Sequence, residues 1–218
     1  MYYITGKGFK RLIIFFLIVL ISIFTIYSYF LINYPLSYQI YISKYSKEFN
    51  VDPYLIAAII NVESKYDKYA MSSKEARGLM QIAPITGKWA SEELNIEDFT
   101  LEDLFDPELN IMVGAWYLNI LSKEFDNNLQ LILAAYNAGS GNVVKWLQNE
   151  IYSEDGKTLK EIPFTETQEY VKKVENNIKI YRLLYENEFK DYVSYNENYL
   201  IILVNNLKKV LKSFVMYK

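Results

Sequence analysis

The sequence predicts an all-α protein, with one helical domain behind a single N-terminal transmembrane helix. Three observations carry this reading. Residues 12 to 32 form an almost unbroken apolar run without a charge. Beyond Pro35, apolar residues recur at helical spacing, and no sustained period-two alternation argues for a sheet. The start signal of a helix, an acidic cap followed by proline, occurs twice, at Asp52-Pro53 and Asp106-Pro107.

The apolar run comes first. At about 1.5 Å per residue it is long enough to cross a hydrocarbon core about 30 Å thick. Lys7, Lys10 and Arg11 lie on its N-terminal side. Positive charge is retained in the cytoplasm, so the rest of the chain is expected on the extracytoplasmic side, with Tyr27, Tyr29 and Tyr34 at the outer interface. The run is long for a cleaved signal peptide, and no small-x-small cleavage pattern follows it. The expected organisation is a cytoplasmic tail over 1–11, an anchor over 12–32, a stalk over 33–44, a folded domain over 45–190 and an amphipathic helix over 191–218.

Within the domain, residues 38 to 49 read as a first helix or the end of the stalk. Asp52 caps a helix that places Leu55, Ile56, Ile59 and Ile60 at helical spacing and ends near Ser64. A loop follows over 65–77, then a short turn bearing Gln81 and a helix opened by Pro84. The helix started by Asp106-Pro107 continues through Ile111, Gly114, Trp116, Leu118 and Leu121 as a core element. Leu129 to Ala138 is apolar and stops at Gly139, where glycine is favoured after a helix. A shorter helix covers Asn142 to about Gln148, and Asp155-Gly156 marks a surface turn. Glu166 to about Phe189 is a long last helix with Val171, Val174, Ile178, Tyr181 and Leu184 on one face.

Composition removes whole classes of chemistry. The 218 residues contain no histidine and no cysteine. Serine and cysteine nucleophiles activated by histidine, histidine-based zinc sites, thiolate clusters and disulfides are therefore impossible. A net charge of -3 and a pI near 5.2 argue against a nucleic-acid surface. No cofactor and no metal cluster is expected, and carboxylates, amides, hydroxyls and lysines remain for catalysis.

Glu63 stands out among the carboxylates. It ends the Pro-initiated apolar helix and precedes the loop Gly78-Leu79-Met80-Gln81-Ile82. A carboxyl near the negative end of a helix, against apolar neighbours, tends to stay protonated, and a neutral carboxylic acid is what a glycosidic oxygen needs from a general acid. The other acidic candidates nearby are Asp67, Glu75 and Glu166.

Four segments occur in order: Glu63-Ser64; Ser72 followed by Gly78-Leu79-Met80-Gln81-Ile82; Ala135-Tyr136-Asn137-Ala138-Gly139; and Glu166-Thr167 with Tyr170-Val171. Together with Leu104-Phe105-Asp106-Pro107 and Asn110-Ile111, they resemble the lytic transglycosylases of the soluble-lysozyme-like, goose-lysozyme-related superfamily. The likeness covers residues 45 to 188. It implies a lysozyme-like helical catalytic domain with a groove for the amino-sugar chain of peptidoglycan and Glu63 as the single acid, then base. In the resemblance Ser72 and Gln81 match groove residues that hold the N-acetyl and neighbouring groups, and Tyr136, Asn137, Glu166 and Tyr170 match the wall around the acid. It also implies an anhydromuramyl product closed by the sugar's own primary hydroxyl.

Two places depart from the family: Glu75 stands where a glycine is usual, and Lys68 where a proline often follows the acid's helix. Ordinary packing roles remain open beside the functional ones: a tight turn for Gly78, core positions for Met80 and Ile82, a packed ring for Tyr136, a helix end for Asn137, and a helix-dipole charge for Glu166. The expected partners are glycan strands of peptidoglycan and the membrane, and the extracytoplasmic position leaves room for an envelope or secretion complex. Two alternatives accompany the enzyme reading: a water-using muramidase of the same fold, and an inactive glycan-binding subunit.

Overall fold

The computed structural model describes residues 6 to 186 and 188 to 189. The expected C-terminal helix over 191–218 lies outside the described residues. Two units are present, and the first is helix α1, Gly6–Asn33. It is 28 residues long, its apolar side chains from Phe9 to Ile32 are largely exposed, and it has the length and composition to cross a bilayer.

The second unit begins at Leu36 and is built from α2 (Gln39–Glu48), α3 (Pro53–Glu63), α4 (Pro84–Glu93), α5 (Pro107–Glu124), α6 (Leu129–Ala138), α7 (Ser140–Leu147) and α8 (Thr165–Leu184). A 3-10 turn over Leu101–Phe105 precedes α5. The described residues hold no strand, and the pairs Met71–Arg77 and Arg77–Ile82 are isolated bridges. The expected stalk boundary needs correction. Leu36 and Ile42 are buried with the helices, so residues 36 to 44 are part of the folded unit. Apolar side chains at helical spacing pull this segment into the core.

Helix α3 is the centre of the domain. Leu55 through Asn61 are all buried, which makes α3 apolar on every face and requires other helices around it. It packs against α8, α2 and α5; α8 also lies on α6, and α6 on α5 and α7. Each fully buried isoleucine in it contributes about 1.5–3 kcal/mol. Asp52 caps its start by accepting from the Tyr54 N–H at 3.0 Å, and Asp106 caps α5 by accepting from Leu109 N–H at 2.9 Å.

Helices α3 and α8 run antiparallel and are tied along their length. Asp52 pairs with Arg182, the Tyr54 hydroxyl donates to Tyr185 O at 2.8 Å, and the buried Asn61 Oδ1 accepts from Asn177 Nδ2 at 3.0 Å. The tie at Tyr185 explains why α8 ends at Leu184, short of Phe189. Tyr185 leaves helical geometry at φ -131°, stacks on Tyr181, and has its carbonyl satisfied from α3.

The loop between α3 and α4 is held from outside itself. Asn110 on α5 is fully buried. Its Oδ1 accepts from Met80 N–H at 2.7 Å, while Nδ2 donates to Arg77 O at 2.9 Å and Leu104 O at 2.7 Å. Gly78, at φ +77°, passes so close that a Cβ would lie 2.3 Å from Asn110 Nδ2 and 2.2 Å from Leu104 O. Asn110→Ala would strand the buried Met80 N–H and Leu104 O and take one of its two bonds from Arg77 O, which keeps Ile82 N–H. We expect it to lower stability by about 3 kcal/mol or more in denaturant unfolding of the full chain in detergent. A loss under about 1 kcal/mol would show that the loop has another support.

Candidate active site

Glu63 is the last residue of α3, and the chain turns sharply after it. Ser64 caps the helix, and Lys65 and Tyr66 both adopt left-handed conformations at φ 53° and 64°. Such geometry costs roughly 1–2 kcal/mol per residue for a side chain with a Cβ. Burial of the Tyr66 ring offsets it, with its hydroxyl donating to Ala57 O at 3.3 Å. Lys65 folds back so that Nζ donates to Asn61 Oδ1 at 2.9 Å. The turn therefore locks the end of α3 and the direction of Glu63.

The carboxyl of Glu63 is pushed up to a pKa of about 7. Burial is the main cause; the Tyr170 hydroxyl works in the opposite sense, and the Glu166 carboxylate adds a smaller upward push. Tyr170 is buried, and among the described residues its hydroxyl has no partner in direct hydrogen-bond geometry. It lies near enough to the Glu63 carboxyl to favour its charged form. The Tyr136 and Tyr170 phenols are both held well above the ordinary tyrosine range, by burial first and by Glu63 second. Glu63, Tyr136, Tyr170 and Glu166 thus form one electrostatic group drawn from α3, α6 and α8.

Tyr136 also binds the loop. Its hydroxyl donates to Met80 O at 2.9 Å, so both peptide groups of Met80 are held, one by α5 and one by α6. Asn137, next on α6, accepts from Thr167 Oγ1 at 2.7 Å, which joins α6 to the first turn of α8. Beside this pair lies a cleft of about 530 Å³ whose lining includes Lys74, Asn137, Asn142, Phe164, Glu166 and Thr167. Glu166, in the first turn of α8, lines the cleft and acts through space on Glu63, which is not itself part of the lining.

Ser72 and Gln81 are committed differently. The Ser72 Oγ accepts from Lys74 N–H at 3.2 Å and Ala76 N–H at 3.1 Å, closing the loop on itself. Gln81 Nε2 donates to Ala70 O and Gly78 O, both at 3.0 Å, with its backbone at φ 48°. What these residues leave for a ligand is the Ser72 hydroxyl proton and the Gln81 Oε1. Of the other acidic candidates, Asp67 is turned into the backbone by accepting from Tyr69 N–H at 3.1 Å, and Glu75 is exposed. Glu75 adopts φ 62°, so the loop keeps the left-handed turn that a glycine would make freely. Lys74 and Phe164 were not singled out from sequence; Thr167 and Asn110 stand in the segments that carry the resemblance, but no role was read for either. For Asn110 the available signal is an amide on the core side of an apolar helix, which demands buried partners.

The raised pKa has a consequence for stability. The folded chain holds the Glu63 proton up to about pH 7, whereas the unfolded chain releases it from its ordinary value of 4.5. Between these values the unfolded state binds fewer protons, so stability falls as pH rises, by about 3 kcal/mol across the window. Glu63→Gln cannot ionise and should lack this loss. Urea unfolding should show the variant close to wild type near pH 4 and more stable by about 3 kcal/mol near pH 8. A difference that does not change with pH would contradict the assigned burial.

Comparison with known proteins bears on the family and the fold. The family model described as the transglycosylase SLT domain matches residues 40–159. The soluble lytic murein transglycosylase of Salmonella typhimurium is 36% identical over 144 residues, covering 65% of this chain and 22% of the relative. Membrane-bound lytic murein transglycosylase C of Edwardsiella ictaluri is 32% identical over 170 residues, covering 63% of this chain and 44% of the relative. The structure of an inactive mutant of lytic transglycosylase Slt from Pseudomonas aeruginosa superposes with a TM-score of 0.62 at 31% identity, over 70% of this chain and 25% of that one. The chain thus spans about a quarter of the length of the soluble relatives and less than half of the membrane-bound one. With the family model matching more than half of its residues, the chain belongs to the transglycosylase SLT domain family.

Proposed function

We propose that this chain is a membrane-held lytic transglycosylase that cleaves glycan strands of peptidoglycan on the extracytoplasmic side, with Glu63 as acid and then base. The observation that carries the reading is one half-buried carboxyl that desolvation raises to a pKa of about 7, beside two phenols held well above the ordinary tyrosine range. A group with a pKa near the working pH both gives and takes a proton efficiently. The neutral Glu63 donates its proton to the glycosidic oxygen, and the bond from the anomeric carbon to that oxygen breaks. Positive charge develops at the anomeric carbon and is met by the acetamido oxygen of the same sugar. The Glu63 carboxylate then takes the proton of that sugar's primary hydroxyl, whose oxygen attacks the anomeric carbon and closes the anhydro ring. The proton borrowed in the first half is returned in the second, and water takes no part.

The neighbouring side chains have roles in this scheme. The Tyr170 hydroxyl favours the carboxylate that exists between the two steps, because it already pulls the Glu63 pKa down. Glu166 is exposed at the start of α8 and acts on Glu63 through space. It is a poor nucleophile candidate, and assistance from the substrate's acetamido group replaces a second enzymic carboxylate. Gln81 Oε1, Ser72 and Asn137 offer polar contacts to the amino sugars. Helix α1 holds the domain at the membrane, and the positive residues before it direct the domain outward.

One experiment tests activity, product and side together. Purified glycan strands added outside wall-free cells that carry the full chain should yield anhydromuramyl ends by mass spectrometry. Glu63→Gln should lower that rate about 10²–10⁴-fold, and wild-type kcat/KM should fall about tenfold per pH unit above pH 7. Reducing ends would mean hydrolysis. Products formed only after the membrane is broken would invert the topology, and no products at all would favour a glycan-binding subunit.

A further inference from the structure

A row of aromatic side chains leads from the surface of α4 to Glu63. Trp89 on α4 meets Trp116 of α5 edge-on at 4.7 Å between ring centres and Tyr117 at 6.3 Å. Tyr117 meets Tyr136 at 5.6 Å, and Tyr136 feels the charge of Glu63. Trp116 is 7% exposed, yet Trp89, which leans on it, is 40% exposed. Ile85, one helical turn earlier on the same face of α4, is 79% exposed. Among the described residues no cation covers the Trp89 ring. The charged cleft beside Asn137 is lined by none of these residues.

The position of this patch is fixed to the site. Helix α4 opens at Pro84, directly after the Gln81 loop that Asn110 and Tyr136 clamp through Met80. An indole held from behind by a buried ring loses little freedom when something stacks on its open face. A large aromatic left open, beside an open isoleucine and continuous with the candidate site, marks a binding surface.

We infer that Trp89, with Ile85 beside it, is a distal sugar subsite that takes the uncharged C–H face of a pyranose in a glycan strand, at a sugar removed from the bond next to Glu63. The inference rests on the reading of the domain as one that engages glycan strands. A pyranose turns C–H groups to one side and keeps its hydroxyls at the rim, which matches an aromatic surface with water around it. Tyr117 and Tyr136 bridge the interval to the acid, so the subsite is occupied by strands long enough to span that row.

The test reads binding and needs no turnover. Full-length protein carrying Glu63→Gln, in detergent, is titrated with a disaccharide and an octasaccharide of peptide-free glycan. The octasaccharide should bind about tenfold or more tightly than the disaccharide, and Trp89→Ala should abolish that advantage. Trp89→Phe should restore part of it. Ile85→Arg, which lays a guanidinium over the indole without touching the core, should abolish it as Trp89→Ala does. Three results overturn the subsite: a length advantage that survives Trp89→Ala and Ile85→Arg, equal weakening of both ligands, or no length advantage in the parent. Quenching by brominated lipid in nanodiscs that Trp89→Phe removes would place the indole at the bilayer and overturn it as well. Loss of cleavage with the length advantage intact would overturn the proposed reaction alone.

Discussion

Met80 is the residue on which the site is hung. Its N–H is held by Asn110, its carbonyl by Tyr136, and its side chain lies over Gly114, where a Cβ would come within 2.3 Å of the sulfur. Asn110 and Gly114 are one turn apart on α5, so a single helix face supplies both the amide that fixes the loop's backbone and the space that takes its side chain. Tyr136 brings α6 to the same point and faces Glu63 with the same ring. The loop, two helices and the acid are therefore registered through one residue. Ser72 and Gln81 complete the loop with bonds to its own backbone, so it presents a fixed surface to a ligand. Pre-ordering of this kind removes entropy that binding would otherwise cost.

The acid has a stability cost that the antiparallel contact of α3 and α8 offsets. A carboxyl is largely withdrawn from water at the end of an apolar helix, two left-handed residues follow its cap, and a phenol beside it is left without a direct partner. Each is unfavourable on its own. The ties through Asp52, Tyr54 and Asn61 to α8, and the buried Tyr66 and Tyr181, hold the geometry regardless. Function and stability draw on the same side chain in opposite senses: the burial that raises the Glu63 pKa to its useful range is the burial that destabilises the fold at high pH.

Much of the fold was legible because its signals are local. Asp52 and Asp106 before proline mark the starts of α3 and α5, Gly139 ends α6, and an uncharged apolar run specifies α1. Glu63 could be singled out from its place at the end of an apolar helix. The direction of its pKa could be anticipated too, although burial, and not the helix end, is the main cause. What was not legible depends on residues far apart in sequence. Asn110 reaches back to Met80 and Arg77, Tyr136 reaches back to Met80, and Thr167 meets Asn137; no spacing rule links these positions. Leu36 and Ile42 read as stalk because a short amphipathic segment next to an anchor resembles a linker until the groove that receives it is known. Glu75 shows the converse: the backbone turn persists after its usual glycine is gone, because Ser72 closes the loop around it.

The proposed chemistry depends on the protonation of one carboxyl, and a carbon-13 NMR titration of glutamate carboxyls in the full chain measures it directly. The resonance missing from Glu63→Gln should titrate near pH 7, above the ordinary value of 4.5. Its midpoint should move up in Tyr170→Phe and down in Glu166→Gln, following the two neighbours that act on it. A midpoint near 4.5 that neither substitution moves would mean that Glu63 is an ordinary solvated carboxylate, and the mechanism built on it would fail.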